Sequence, residues 1–509
     1  MKKIQLIAGI LTLMFVVSCE DARDIDPKSS ISESLAFKSV RSFQEALNAA
    51  YLSYRPEDVI QVSSRISEDI RAGNTLELTD IGVAEEHLLR INPSTPATTA
   101  IWTGRYQTIN HINAYLALAQ SFETNSPTER ENLDGVIGQS IALRALAHLD
   151  LMALYSAGNA VSDLNVFAPE NRAVPIITEI DLFARPTRNT VAEVATFIND
   201  ELDTADAFIG DATDNRFITA SAITAIRARL ALYTGQYQDA IDAADELMGS
   251  FNLINADNYV AMWDDNDDDQ DEFIWSLERT LTAGPNIGTL FNGATTLGAS
   301  PIYEMAQGFR NIIEGLPSRL FGTIEGGDQR RVLHLRPIEG EITLGENIIA
   351  KYPGQPGGGI GRNNAKVFRV AEQYLIKAEA QARLNDFTGA AETISDLRNA
   401  RTRAVTVAAP DYTNLEEAIR DILLERRIEL AYEGHRYIDL RRTRDITGEG
   451  IERDSSPIDP TFEDLDPRPN PDCGGIVPCN LSASDARFAL PIPLVEISGN
   501  PVITQNPGY

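Results

Sequence analysis

Residues 425–442 read ERRIELAYEGHRYIDLRR, and half of these 18 residues are charged. The residues before them predict a helix, because Asn414 can cap its start and Glu416 and Glu417 favour its positive end. The predicted buried stripe of that helix is Leu415, Ile419, Ile422 and Leu423. Gly434 suits a left-handed helix cap. The density of Arg and Glu predicts ion pairs that fix the helix to the turn after it, which is a structural role.

Two segments upstream resemble each other at an offset of 150 positions (387 − 237). Residues 222–247 contain ARLALYTGQYQDAIDAADEL, and residues 372–397 contain AEAQARLNDFTGAAETISDL. The offset aligns Tyr237 with Phe387 and keeps alanines in register. Each segment has the pattern helix, tight turn, helix, which is typical of a tetratricopeptide unit. Their wide separation predicts an insertion between the two units.

Helical patterns continue through the N-terminal half of the chain. Ser42 has the spacing of a capping-box start, and Thr190 is placed to cap another helix. Apolar residues at helical spacing predict helices over 100–118 and 141–155. The insertion, residues 251–365, is instead rich in turns and short apolar runs. The predicted fold class is mainly α, a tetratricopeptide-like helical-repeat scaffold with a large irregular, loop-rich lobe.

The N-terminus has the pattern of a bacterial lipoprotein signal. Lys2 and Lys3 precede an apolar run of about 14 residues, which is shorter than the ~20 that a membrane helix needs. The run ends in Val-Val-Ser directly before Cys19. We therefore predict a signal peptide over 1–18 and a lipid-modified Cys19, with an ordinary secretory signal as the alternative. After residue 18 we find no stretch long and apolar enough to cross a bilayer.

Two C-terminal stretches resemble signatures of the SusD/RagB family. One is residues 425–442, and the other is RFALPIP over residues 487–493, followed by a chain end of QNPGY. The segment FRVAEQYLIKAEA over residues 368–380 is similar to a helix of that family, although Val370 and Gln373 differ from its usual form. Four residues with helical spacing resemble the family's N-terminal helix: Trp102, Tyr106, Ile109 and Asn113.

The resemblance implies a nutrient-uptake lipoprotein of Bacteroidetes. In that family the tetratricopeptide-like helices face a SusC-like TonB-dependent porin, and the protein acts as a lid on it. The lid binds an oligosaccharide, or in RagB-like cases a peptide, and the porin imports it. The resemblance implies no catalytic residues, so we expect no enzyme. The acidic start after Cys19 resembles the surface-export signal of Bacteroidetes lipoproteins, so we expect outer-membrane anchoring that faces the cell exterior.

The net charge restricts the binding partners of the chain, and the cysteine content suggests a disulfide. The chain has 44 Lys and Arg against 74 Asp and Glu, a net charge of −30. Such a surface repels phosphate backbones, which excludes nucleic acid as a partner. Of the three cysteines, Cys473 and Cys479 remain once Cys19 is assigned to lipid. In an oxidising exterior their spacing predicts a disulfide that closes a small loop, with a reduced pair as the alternative.

No catalytic or metal motif is evident in the sequence. The five histidines, at positions 87, 111, 148, 334 and 435, form no metal-ligand spacing. The acidic run 264–272 offers oxygen ligands, but Asp269 occupies the position that an EF-hand gives to glycine. We interpret the run as a solvated acidic loop, so calcium is possible but not indicated, and we expect no cofactor. Nothing singles out a carboxylate pair for glycoside cleavage.

The resemblance places the ligand site on the loop after the first helices and on the insertion. In the loop, Asp69, Arg71 and Asn74 can hydrogen-bond vicinal hydroxyls. In the insertion, Tyr303 can stack on a sugar, and Phe291 and Phe309 are further candidates. We expect Tyr303→Ala to lose ligand binding while the fold stays intact. The three tryptophans lie within apolar patterns and are predicted to be core: Trp102, Trp263 and Trp275.

Four regions follow from these patterns. After the signal peptide we expect an N-terminal SusD-like helical region over 19–250, the ligand-lobe insert over 251–365, and a C-terminal SusD/RagB region over 366–509. The predicted function is to bind an oligosaccharide or peptide nutrient and deliver it to the porin. Two alternatives stay open, a surface glycoside hydrolase and a tetratricopeptide scaffold without a ligand.

Overall fold

The computed structural model describes ten ranges: residues 36–73, 84–160, 162–265, 271–279, 286–291, 302–317, 327–335, 348–354, 361–453 and 480–509. The predictions of a signal peptide over 1–18, of lipid on Cys19 and of a bond between Cys473 and Cys479 lie outside these residues. All statements below concern the described ranges.

Helices dominate the described residues, as the sequence predicts. In chain order they are α1 (Val40–Ser53), α2 (Pro56–Ile66), α3 (Pro96–Ser121), α4 (Pro127–Tyr155), α5 (Val191–Ile209), α6 (Ala220–Thr234), α7 (Tyr237–Ser250), α8 (Gln307–Glu314), α9 (Gln329–Leu335), α10 (Val370–Arg383), α11 (Phe387–Arg401), α12 (Leu415–Glu429), α13 (Arg436–Thr447) and α14 (Leu494–Gly499). The strands are β1 (Ile70–Ala72), β2 (Phe273–Leu277), β3 (Tyr303–Met305), β4 (Gly327–Asp328), β5 (Ala365–Arg369) and β6 (Thr402–Arg403).

Capping side chains, which accept hydrogen bonds from backbone amides of the first turn, mark the starts of several helices. Thr190 caps α5 as predicted: its hydroxyl accepts from the Glu193 amide at 3.2 Å, and Glu193 accepts from the Thr190 amide at 2.8 Å. Asn414 caps α12, since its side chain accepts from the Glu417 amide at 3.0 Å. The prediction for Ser42 was wrong in register. Helix α1 begins at Val40 with Ser39 as its cap, and Ser42 is the third residue inside it.

The two similar segments are helical hairpins, which confirms the sequence prediction. Helices α6 and α7 form one hairpin, α10 and α11 form the other, and α7 packs on α10. The 150-residue offset even preserves the turn, because Gly235 and Asn385 both have positive φ, at 79° and 65°. This left-handed conformation lets the chain reverse within two or three residues. Helix α12 then packs on α10 and continues the stack.

Helix α4 is the centre of the N-terminal helices. It packs against α1, α3 and α5, and its second half is buried almost without interruption. By length and composition it is able to cross a membrane, so our expectation that no such stretch follows residue 18 was wrong. However, 89% of its apolar window is buried inside the protein, as in a core helix. The predicted core positions of Trp102, Trp263 and Trp275 are confirmed, since none is more than 2% exposed.

Short antiparallel strand pairs connect the insertion to the helices. Strand β2 pairs with β5, which leads directly into α10, and β4 pairs with β6 at the end of α11. Strand β1, just after α2, pairs with β3. Between these strands the insertion contains short 3-10 turns and the small helices α8 and α9. Among the described residues, three strand pairs therefore attach the predicted irregular lobe to the scaffold.

The charged stretch 425–442 is the hub of the fold. Glu429, fully buried at the end of α12, lies 3.0 Å from Arg369 and 3.0 Å from Arg401. Both arginines also contact Glu272 of the insertion, at 2.5 Å and 2.8 Å. Glu433 in the turn binds Arg369 and Lys351, each at 2.7 Å. The ion pairs predicted from composition are therefore confirmed, and they join three distant parts of the chain.

The second half of the stretch continues the network. Asp439 on α13 accepts from Arg426 at 2.9 Å and from Arg442 at 2.8 Å. Arg442 reaches on to Glu379 on α10, at 2.7 Å. Gly434 does have positive φ, at 94°, but it lies in the turn before α13 and not at the end of α12, which is at Glu429.

Arg441 holds the C-terminal tail against helix α4. Its buried guanidinium donates to the carbonyls of Ala153, Ser156 and Phe488. The first two are free carbonyls at the C-terminal end of α4, where partial negative charge favours a cation. The tail adds a backbone bond, since the Leu490 amide donates to Leu154 at 3.2 Å.

Candidate functional site

The strand pair β1–β3 brings the predicted loop and the predicted insertion together. The register places Arg71 opposite Glu304 and Ala72 opposite Tyr303. The pairing continues past the strands, because the Gly73 amide donates to Ile302 at 2.9 Å and the Ala306 amide donates to Asp69 at 2.9 Å. Two segments more than 200 residues apart in sequence therefore form one small two-stranded sheet, here called the β1–β3 floor.

Two of the predicted polar ligands are already engaged within the protein. Arg71 is fully buried, and its Nη2 lies 2.5 Å from the Glu304 carboxylate. Asp69 is 2% exposed and accepts from Arg427 of the hub at 2.7 Å. The neighbouring Glu68 likewise binds Arg436. Asn74, the third predicted ligand, lies outside the described residues.

Tyr303 is buried at the floor, with 1% of its surface exposed. The His87 ring meets it edge-on at 5.4 Å, and the Arg65 guanidinium lies 5.3 Å from its ring centre. Its hydroxyl accepts from the Ala84 amide at 3.4 Å. Burial raises the pKa of Tyr303, and burial beside Arg453 and Arg65 lowers the pKa of His87 well below its usual value. Both rings are therefore neutral at neutral pH.

Several polar atoms in and beside the β1–β3 floor are buried without a hydrogen bond to any described residue, and two of them belong to Arg65 and His87, which contact Tyr303. They are Arg65 Nε, Glu68 Oε2, Arg71 Nη1 and His87 Nδ1. Unpaired buried polar atoms are rare in folded proteins, and a bound molecule or ordered water is a common reason for them. The sequence pointed to Glu68 and Arg71 through the loop stretch, but it gave no signal for Arg65 or His87.

The two predicted phenylalanines are buried in an aromatic cluster around Tyr432. Phe291 stacks on Tyr352 with ring centres 6.4 Å apart, and it meets Tyr432 edge-on at 5.5 Å. Phe309 meets Tyr432 at 5.9 Å and His334 at 5.8 Å. Phe291 and Phe309 are at most 1% exposed, so in this structure they are core residues and present no face to a ligand.

The acidic run 264–272 is not a solvated loop at its ends, and that interpretation was wrong there. Asp265 accepts from Asn363 at 2.8 Å and pairs with the buried Lys366. Glu272 is fully buried between Arg369 and Arg401. Residues 266–270 lie outside the described ranges. Within those ranges, no three His, Cys, Asp or Glu side chains come together in a way that holds a metal ion.

Comparisons with known proteins agree with this architecture. Residues 342–509 match the model of the SusD family, and residues 26–232 match a family described as "Starch-binding associating with outer membrane". The SusD-like protein P38 of Formosa agariphila is 24% identical over 85% of this chain and 90% of its own length.

Solved structures show the same fold. A SusD superfamily protein from Bacteroides thetaiotaomicron superimposes with a TM-score of 0.73 and 25% identity, over 92% of this chain and 100% of that chain. A laminarin-binding SusD-like protein superimposes with a TM-score of 0.64 and 20% identity, over 93% of this chain and 100% of that chain.

Stacked helical hairpins that carry a lobe of short strand pairs define a helical-repeat scaffold protein. The two family matches cover well over half of the sequence and include the charged hub. The chain belongs to the SusD/RagB family.

Proposed function

We propose that this protein is a lipid-anchored outer-membrane protein that binds an oligosaccharide at the β1–β3 floor. It delivers that ligand to a SusC-like TonB-dependent porin for import and performs no catalysis itself. A peptide is the second ligand class, because the floor has no exposed aromatic ring among the described residues to favour a sugar face. The lipid on Cys19, the orientation toward the exterior and the predicted division into helical regions and insert belong to the same proposal.

The observation that carries the proposal is the pairing of β1 with β3. It joins the two segments that the family resemblance nominates, and it places Tyr303 beside Arg65 and His87, each of which has a buried polar atom without a hydrogen bond to a described residue. Planar guanidinium and carboxylate groups are suited to adjacent hydroxyls, because each presents two parallel hydrogen-bonding positions. The relatives add support, since one related structure is named for laminarin binding and one matched family for starch binding.

Binding is tested by calorimetry of the purified protein against a panel that includes laminarin, starch, other marine and plant glycans, and peptides. We expect saturable binding to one glycan class. Release of reducing ends from any glycan of the panel contradicts the proposal and favours a surface glycoside hydrolase. If the protein binds no glycan or peptide of the panel but still binds the porin, a scaffold without a ligand is favoured.

The site is tested by Arg65→Gln, with Arg55→Gln at the N-cap of the same helix as its control. Arg65 lies over Tyr303, whereas Arg55 is half-exposed and pairs with Asp58 at 3.0 Å. We expect Arg65→Gln to weaken binding about tenfold, the loss of one charged hydrogen bond, and Arg55→Gln to leave it unchanged. Equal affinities of the two variants contradict this position for the site.

Tyr303→Ala is a poorer test than the sequence suggested. Because the ring is buried, its removal is expected to cost about 3–5 kcal/mol of stability. We therefore no longer expect that variant to keep its fold intact.

The lipid anchor is tested separately. Cys19→Ala is expected to abolish incorporation of labelled palmitate and to release the protein from outer-membrane fractions. Unchanged labelling contradicts the assignment of Cys19.

A further inference from the structure

A second surface, away from the β1–β3 floor, exposes an unusual concentration of apolar side chains. Eleven large hydrophobic side chains are exposed among the described residues, and six of them lie on two segments. The six, here called the apolar patch, are Ile180, Leu182, Phe183, Leu494, Val495 and Val502. Leu182 and Phe183 are 83% and 88% exposed. Contiguous exposed apolar surface commonly marks an interaction site.

The two segments of the apolar patch are fixed to each other. The Asn500 side chain donates to the Pro186 carbonyl at 2.8 Å. Arg188 donates to the Asn506 side chain at 2.7 Å and to the Thr504 carbonyl at 3.1 Å. Asp181 accepts from the Phe183 amide at 2.8 Å, which shapes the tip of the loop. The patch is thus held in one shape by side-chain bonds before any partner arrives.

A cavity of about 380 Å³ opens beside the patch, between α3 and residues 175–186. Trp102 and Tyr106 line its inner side, and Glu496 lies at its edge with one oxygen 3.2 Å from the Trp102 indole nitrogen. The walls include the apolar side chains of Ile177 and Ile180. The cavity therefore combines apolar walls with carboxylate groups in its lining.

The charged side chains that line this cavity, among the described residues, are all acidic. Glu179, Asp181 and Glu496 line it, and no Lys, Arg or His does. Within the described residues none of the three carboxylates has an ion-pair partner, in contrast to the hub. Arg185, the basic residue of the same loop, does not line the cavity and donates to its neighbour Ala184 at 2.9 Å. The cavity is complementary to a cation with an apolar stem.

We propose that this cavity and the apolar patch dock a loop of the porin partner, and that the loop presents a Lys or Arg between apolar residues. The inference rests on the proposed function and names the contact surface for its delivery step. The methylene stem of the basic side chain lies along Ile177 and Ile180, while its head group reaches the carboxylates. Leu182 and Phe183 cover the apolar neighbours of that side chain.

Other occupants fit the charges less well. The chain's own residues 20–35 are acidic at their start, and a second copy carries the same net charge of −30. Anionic lipid head groups are repelled by the three carboxylates. A sugar finds at most one partial stacking face, because Trp102 is only 2% exposed and Tyr106 is partly buried.

The occupant is identified by photocrosslinking in intact cells, with Phe183 replaced by p-benzoylphenylalanine in the full-length lipoprotein. The control carries the same group in place of Leu52, an exposed leucine on α1. We expect Phe183 to crosslink to a TonB-dependent porin, within a loop that contains a basic residue, and the Leu52 position not to do so. Crosslinks to lipid, to a second copy or to residues 20–35 of the same chain overturn the proposal.

The charge requirement is tested by the triple variant Glu179→Gln, Asp181→Asn, Glu496→Gln. Its control removes three exposed carboxylates elsewhere: Glu123→Gln, Glu131→Gln and Asp200→Asn. We expect the first triple variant to lower porin recovery about tenfold in affinity purification and to lose most of its salt dependence. The control variant is expected to behave like the wild type, with unchanged circular dichroism for both.

The outcomes separate this inference from the proposed function. Equal porin recovery by the wild type and both triple variants overturns the docking surface alone. If the wild-type protein binds its glycan but no porin is recovered with it, the delivery step is contradicted, and so is the docking surface. Glycan affinity is expected to be the same in all of these variants, because the cavity and the β1–β3 floor share no residue.

Discussion

Two regions of this molecule use charge in opposite ways. In the hub, residues 425–442, each of the nine Arg, Glu and Asp side chains has an ion-pair or hydrogen-bond partner, and most are buried. Around the cavity beside α3, three carboxylates line an open slot, and none of the described lining residues is a cation. Removing one partner from a buried pair leaves an uncompensated charge, whereas removing a solvated carboxylate costs little. The comparison separates charges that hold the fold from charges that are free to meet a partner.

The largest expected effect is that of acid on the hub. Burial by itself would raise the pKa of Glu379 and Glu433, but Arg442 with Arg383, and Arg369 with Lys351, outweigh it and lower each pKa to about 2. These folded pKa values lie below the unfolded value of about 4.5, so the stabilisation is complete above that pH and is lost as the pH falls toward 2. We expect the urea midpoint, followed by circular dichroism, to fall steeply below about pH 4.5. A midpoint that stays constant down to pH 3 would contradict this account.

A single substitution in the hub comes next. Glu429→Ala leaves Arg369 and Arg401 short of a buried anion, and we expect a loss of about 3–5 kcal/mol in the free energy of unfolding. Glu416→Ala on the same helix removes an exposed pair with Arg420 and is expected to cost less than about 1 kcal/mol. Chemical denaturation of both variants measures the difference, and similar losses would mean that the hub is not the main electrostatic support.

A smaller effect is expected at the junction of α4 with the tail. Arg441→Lys keeps the charge but cannot reach three carbonyls with one ammonium group. We expect a loss of about 2 kcal/mol, the scale of one or two charged hydrogen bonds. Thermal unfolding and proteolysis of the C-terminal tail report it. A variant as stable as the wild type would show that the tail is held by its backbone contacts alone.

The smallest stability effect is expected on the apolar patch. Phe183→Ser removes a ring that is 88% exposed, so the free energy of unfolding should change by less than about 0.5 kcal/mol. Chemical denaturation checks the stability, and porin recovery from the same sample checks the docking. A large destabilisation would assign Phe183 to the fold and weaken its role as a contact residue.

Local patterns predicted the scaffold well because helices are local structures. The caps at Thr190 and Asn414 and the offset between the two hairpins depend on residues a few positions apart, and the structure confirms them. The misplaced start of α1 has the same origin. Ser39 and Ser42 have equivalent chemistry, and spacing alone did not distinguish the cap from the third helical residue.

The sequence predicted which segments form the candidate site, but it did not predict the burial and the contacts of their side chains. The sequence named Arg71 and Tyr303, and the β1–β3 pairing places them on neighbouring strands. Their roles as ligand contacts stay predictions, and so does that of Asn74. Their burial was not foreseen, because Glu304 and His87 approach them only through contacts between distant parts of the chain.

By itself, the sequence determined the helical class, the repeated hairpin, the family motif and the overall acidity, since each is a matter of composition or short-range spacing. Only the tertiary structure decided which charged side chains form ion pairs with each other. The bond from Arg427 to Asp69 spans 358 positions, and nothing local marks either residue as the partner of the other. The same holds for the slot beside α3, whose carboxylates come from residue 496 and from residues 179 and 181. Burial and partner choice depend on packing between distant segments, and that packing distinguishes the structural hub from the surface proposed to bind a partner.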